Sequence, residues 1–138
     1  MMRRNHCLWL IAVCMIVGIA LSGFSQNRRH DQIMKDVAST FADLKKSLDA
    51  KNGADASQTA AKLAVLFKEV ESFWVPLKSQ IAVSAARDLQ SVSEKVAASA
   101  TSDLAQANAL YATAGAKCKS CHDRHRTQMP DGSFRIMP

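Results

Sequence analysis

From Arg28 onward, apolar residues recur at every third or fourth position, the period of a helix with one buried face. Ile33, Met34, Val37, Phe41, Leu44 and Leu48 predict a first helix from about Arg28 to Ala50. "KNGAD" (51–55) stops it: Asn52-Gly53 is expected to take the left-handed backbone of a helix end, and Asp55 to cap the next helix. Leu63, Leu66, Phe67 and Val70 mark a second helix from about Ala56 to Phe73, with Trp74 at its end. Pro76 cannot continue that helix and suits the first turn of a third. The third runs from about Leu77 to Ala98 on the stripe Leu77, Ile81, Ala85, Leu89, Val92 and Val96. A fourth runs from Leu104 toward Thr127, with Leu104, Ala107, Tyr111, Ala114, Cys118, Cys121 and His125 in a 3-4-3-4 rhythm. No alternating pattern suggests a sheet, and the tail "MPDGSFRIMP" reads as a turn and a short extended end. Four such helices with short connections predict an all-α, antiparallel four-helix bundle. Alanines at 105, 107, 109, 112, 114 and 116 on the fourth helix would leave room for something large and flat.

The first residues do not fit this pattern. Arg3 and Arg4 precede an apolar run from Leu8 to Leu21, the length of a signal-peptide core and marginal for a permanent anchor. Gly23-Phe24-Ser25 fits a small-x-small cleavage site. Residues 1–25 are therefore expected to be a signal peptide and 26–138 the mature domain, exported to the periplasm without stable membrane insertion. Cys14 follows Val13, too large a residue for a lipid-attachment signal. Cleavage removes Cys7 and Cys14, so only Cys118 and Cys121 remain. Arg3 and Arg4 leave with it, and the formal charge falls from +6 to +4. This mild, dispersed basicity, without aromatic clustering, argues against nucleic-acid binding and fits a soluble surface.

The remaining cysteines form "CKSCH" (118–122). A thioredoxin-like disulfide needs a βαβ context, which is absent. Zinc needs ligands that wrap the ion, whereas Cys118, Cys121, His122 and His125 all fall on one short stretch. Cys-x-x-Cys-His is the attachment motif of c-type haem. Two thiols meet two vinyl groups on one macrocycle, and the adjacent histidine places a ring nitrogen under the iron. Covalent attachment also retains the cofactor in a dilute compartment, so the export signal and the motif support one another.

A single CxxCH near the C-terminus, on the fourth helix of an exported all-α domain, resembles the class II cytochromes c, the cytochrome c′ family. Ordinary class I cytochromes carry the motif near the N-terminus. The family commonly continues CxxCHxxYR; here "CHDRHR" keeps Arg126 and has His125 at the Tyr position. The resemblance implies thioethers at Cys118 and Cys121, His122 as proximal ligand, and Arg126 near a haem propionate or the proximal side. His125, close to His122 on the same helix, cannot reach the opposite face of the iron.

In this family the first helix builds the distal side, with Met-Lys in electron-transfer members and an apolar residue in gas binders. "HDQIMKD" (30–36) places Met34-Lys35 there. Met with His ligation raises the iron potential, although Met34 also fits the apolar stripe as ordinary core. Where the family often has Arg, one turn before the Met, stands His30, a candidate propionate contact or distal ligand. The expected function is a monohaem electron carrier, not an enzyme, working with redox partner proteins. The family often dimerises through its first two helices. The competing reading is a five-coordinate module that binds NO or CO, with Met34 in the core.

Overall fold

A computed structural model describes residues 29–137. The expected leader (1–25) and Arg28 lie outside the described residues. The chain forms α1 (His30–Asp49), α2 (Gly53–Trp74), α3 (Gln80–Ser99) and α4 (Leu104–His125), then β1 (Arg126–Gln128) and β2 (Phe134–Ile136). The four helices pack on one another as a bundle, and their short connections make consecutive helices antiparallel. No described helix is long and apolar enough to cross a membrane.

Local chemistry sets the helix starts. Asn52 Oδ1 accepts from Asp55 N at 3.2 Å, Ser79 Oγ from Ala82 N at 3.3 Å, and Asp103 Oδ1 from Gln106 N at 2.9 Å. Each satisfies one of the amides that a helix start leaves without a partner. Asn52, rather than Asp55, therefore caps α2, which begins at Gly53 instead of Ala56. The left-handed residue that ends α1 is Lys51, with φ 55°, not Asn52-Gly53.

The α2–α3 connection also differs from expectation. Pro76 lies in a turn that Lys78 closes at φ 56°, and α3 starts only at Gln80 behind its Ser79 cap. The three-residue delay turns the helix, so Leu77 (42 % exposed) and Ile81 (44 %) leave the core. Ala82, Val83, Ala86 and Ser93 are buried beside Ala85, Leu89 and Val96 instead.

The tail carries more order than a bare extended end. β1 and β2 pair antiparallel, Thr127 opposite Arg135. Pro130-Asp131-Gly132 turns the hairpin, with Gly132 at φ 80° and its N–H on Met129 O at 2.9 Å. Only glycine takes that backbone without steric cost. Strands this short show no alternation to read in the sequence.

Ile33, Leu44 and Leu48 of α1, Leu63, Phe67 and Trp74 of α2, Leu89 and Val96 of α3, and Ala107 and Ala114 of α4 share one core. The seam between α1 and α4 is the most open of the four around the bundle. One ring contact bridges it, Phe41 stacked on Tyr111 with centroids 4.4 Å apart.

Candidate haem-attachment site

The topology brings the start of α1, the end of α2, the start of α3 and the end of α4 to the same end of the bundle. Cys118, Cys121 and His122 are there, all half-buried on the core side of α4. Cys118 and Cys121 also pack against the core cluster. Both thiols are free. Burial pushes both thiols up in pKa, and for Cys121 its neighbour Cys118 adds to the rise. Reactive CxxC redox pairs work through a depressed thiol pKa. This pair is set the other way, as protonated thiols on an apolar face.

His122 is pushed toward its neutral form, first by burial and then by the Arg126 charge, against a smaller opposite pull from Asp123. A neutral imidazole is the form that ligates a metal. Among the described residues, His122 makes no side-chain hydrogen bond that would compete for its ring. No group of three or more His, Cys, Asp or Glu gathers as a metal site among the described residues.

The stacked pair Phe41–Tyr111 fixes the register across the open seam. In antiparallel helices of equal rise, seven residues back on α1 match seven forward on α4. Met34 is thus level with Cys118, and His30 with His122. Met34 is half-buried against the core cluster. His30 packs on Phe73 at 4.6 Å and edge-to-face on Trp74 at 5.5 Å.

His30 is held to a pKa of about 4, against an ordinary 6.5, first by burial and then by His122. Between those values the unfolded chain binds a proton that the folded chain refuses, so stability falls as pH drops through this window and levels off below it. For a half-exposed ring the loss discounts to about 1–2 kcal/mol. Urea unfolding of the haem-free chain at pH 7 and pH 4 follows this loss together with the same-direction share of His122, and His30→Gln should shrink the difference.

His125 closes the site from behind. Its Nδ1 lies 2.8 Å from Met137 O, its Nε2 2.8 Å from Ser79 Oγ, and its ring 4.6 Å from that of Trp74. A carbonyl only accepts, so Nδ1 carries the proton and Nε2 accepts from the Ser79 hydroxyl. Ser79 thereby caps α3 and ties it to α4. The sequence rhythm places His125 on the core face, but its partners are many residues away and left no signal in the spacing. Arg126 sits with its guanidinium 3.5 Å over the Phe134 ring. The hairpin thus holds it beside the motif, close enough for its charge to act on His122.

The residues fit a c-type haem on three counts. The two thiols and the imidazole share one half-buried stretch, the α1–α4 seam beside them is open, and buried His30 Nδ1 and Trp74 Nε1 have no hydrogen-bond partner among the described residues. Comparisons with family models, curated proteins and solved structures return no match.

Proposed function

We propose that the chain is an exported monohaem c-type cytochrome that transfers electrons in the periplasm with redox partner proteins. The observation that carries this reading is the placement of Cys118, Cys121 and His122, half-buried together at the end of α4 beside the open seam, with both thiols packed against the core. Cys118 and Cys121 would hold the macrocycle by thioethers, and His122 would supply the proximal nitrogen. Bound there, the haem supplies a one-electron ferric–ferrous couple.

The chain's own part is to hold and tune. Trp74 and Ile33, each 1 % exposed, fill the core at this end of the bundle. Arg126 favours the neutral His122. Met34 is the proposed sixth ligand, supported by its half-burial and by its register level with Cys118 across the seam. A porphyrin is wider than one helical turn, so a residue one turn from the level of His122 stays within its footprint. Thioether ligation would give a high potential, and a closed six-coordinate iron performs no bond-making chemistry, so the chain is not an enzyme in this reading.

The test is Met34→Ala on the haem-loaded protein. The low-spin ferrous spectrum should give way to a high-spin one that shifts on adding CO, while the parent ignores CO. An unchanged low-spin spectrum in the variant removes Met34 as ligand. A parent that is already high-spin and binds CO replaces electron transfer with gas binding.

A further inference from the structure

Five of the six large apolar side chains that stand exposed among the described residues lie at the motif end of the bundle. Val75 and Leu77 are in the α2–α3 turn, Ile81 is in the first turn of α3, and Phe134 and Met137 are on the tail, each 42–53 % exposed. One imidazole ties turn and tail together. His125 Nε2 lies 2.8 Å from Ser79 Oγ, at the end of the turn, and His125 Nδ1 lies 2.8 Å from the carbonyl oxygen of Met137. Ile81 lines the groove between α3 and α4 with Lys117 and Ser120. Arg124 stands one turn beyond Ser120 on the same side of α4. Exposed apolar groups that collect in one place, rather than scatter singly, mark an interaction surface.

Charge decides which partner fits. Asp88 is taken up by Lys117 at 2.7 Å and Asp123 by Lys119. Lys78 follows Leu77, Arg124 flanks the groove, and Arg126 and Arg135 flank Phe134 on the hairpin; all four are exposed. A second copy docked face to face would oppose like charges. A lipid surface is met by one amphipathic helical stripe, whereas these residues come from a turn, a helix start and a strand end. An acidic protein with an apolar contact area answers both features. Its carboxylates meet the cationic rim, and the half-exposed side chains lose water at the centre. Small, charge-steered contacts of this kind serve transient electron-transfer complexes.

Resting on the haem reading above, we propose that Val75, Leu77, Ile81 and Met137, rimmed by Lys78 and Arg124, form the docking surface for an acidic redox partner protein. His125, to which turn and tail are both tied, is one helical turn from Cys121. A partner seated there is therefore beside the haem-bearing end of α4. The rim sets the encounter rate, and the apolar centre sets how long the encounter lasts.

The test is stopped-flow electron transfer from the ferrous, haem-loaded full chain to an oxidised plastocyanin with an acidic face. The second-order rate should fall about tenfold between about 10 mM and about 200 mM salt. Lys78→Gln/Arg124→Gln should lower the low-salt rate about fivefold and leave the high-salt rate nearly unchanged. Leu77→Ser/Ile81→Ser should lower the rate about fivefold at both. The optical spectrum and the potential should stay those of the parent in both variants. Lys62→Gln/Lys95→Gln, away from this end of the bundle, should leave the rate unchanged. Parent rates in both patch variants overturn the proposal. An equal loss in Lys62→Gln/Lys95→Gln also overturns it, because overall charge alone then steers. So does binding to phosphatidylglycerol vesicles, or dimerisation in sedimentation, that disappears in Leu77→Ser/Ile81→Ser: the face would then belong to a lipid surface or to a second copy. A chain that never takes up haem removes the underlying reading itself, an outcome distinct from pigmented protein whose rates ignore the patch.

Discussion

Replacing Cys118 and Cys121 together by alanine is expected to take covalent haem from nearly every exported molecule to none, with the helices intact. The thiols stand half-buried on the inner side of α4 and make no disulfide. Alanine is a better helix former than cysteine and removes little volume here. Helicity by circular dichroism should therefore be kept while haem staining of the denatured chain disappears. The single variants separate the roles: each leaves one thioether and should give reduced, unstable loading. The same experiment tests the rejected disulfide reading. A structural disulfide would make the double variant less stable by a few kcal/mol, whereas free thiols on a helix predict almost no change in the haem-free state.

Gly53→Ala is expected to be the most damaging small substitution in the bundle. A Cβ at Gly53 would lie 2.3 Å from Ala100 O and 3.2 Å from Thr101 Cα. Both obstacles are backbone, so no side chain can swing aside and the start of α2 must move off the end of α3. Overpacking of this kind costs about 1–3 kcal/mol, and a backbone clash belongs at the upper end. Gly115→Ala is the matched control, because nothing lies within 4 Å of its added Cβ. On a helix that change should gain about 0.5–1 kcal/mol. Thermal unfolding of both variants in the haem-free chain should move the midpoint in opposite directions, by roughly 5 °C per kcal/mol. An unchanged or raised midpoint in Gly53→Ala would contradict the close approach to Ala100.

The glycine contact shows what the sequence could carry and what it could not. "KNGAD" announced a helix boundary, and a boundary is there. Nothing local distinguished a glycine that ends α1 from one that lets α2 touch Ala100, because the reason lies dozens of residues away. The stripes on α1, α2 and α4 were legible because burial repeats with the helical period, and Ala107 and Ala114 are buried as the rhythm of α4 requires. The stripe on α3 failed at its start. Pro76 looked like a first-turn residue, but Ser79 is the better cap, and the later start rotated Leu77 and Ile81 outward.

The candidate site divides in the same way. CxxCH is contiguous, so its chemistry could be read directly. Met34 and His30 were found by position along α1, and only packing across the seam sets them level with Cys118 and His122. Trp74 looked like ordinary core, and its size and burial agree. Its unpartnered indole beside His30 appears only when four chain segments meet. The hairpin that seats Arg126 and binds His125 is equally non-local, with Met137 N donating to His125 O at 2.9 Å.

The central claim is that Cys118, Cys121 and His122 carry a covalent haem. Its most direct test is the intact mass of the purified exported chain after denaturation, with the optical spectrum of the same sample. The account predicts a mass raised by one haem over that of the polypeptide and a ferrous spectrum of the c type, both lost in Cys118→Ala/Cys121→Ala. A colourless protein of unmodified mass, made beside working haem-attachment machinery, would contradict it.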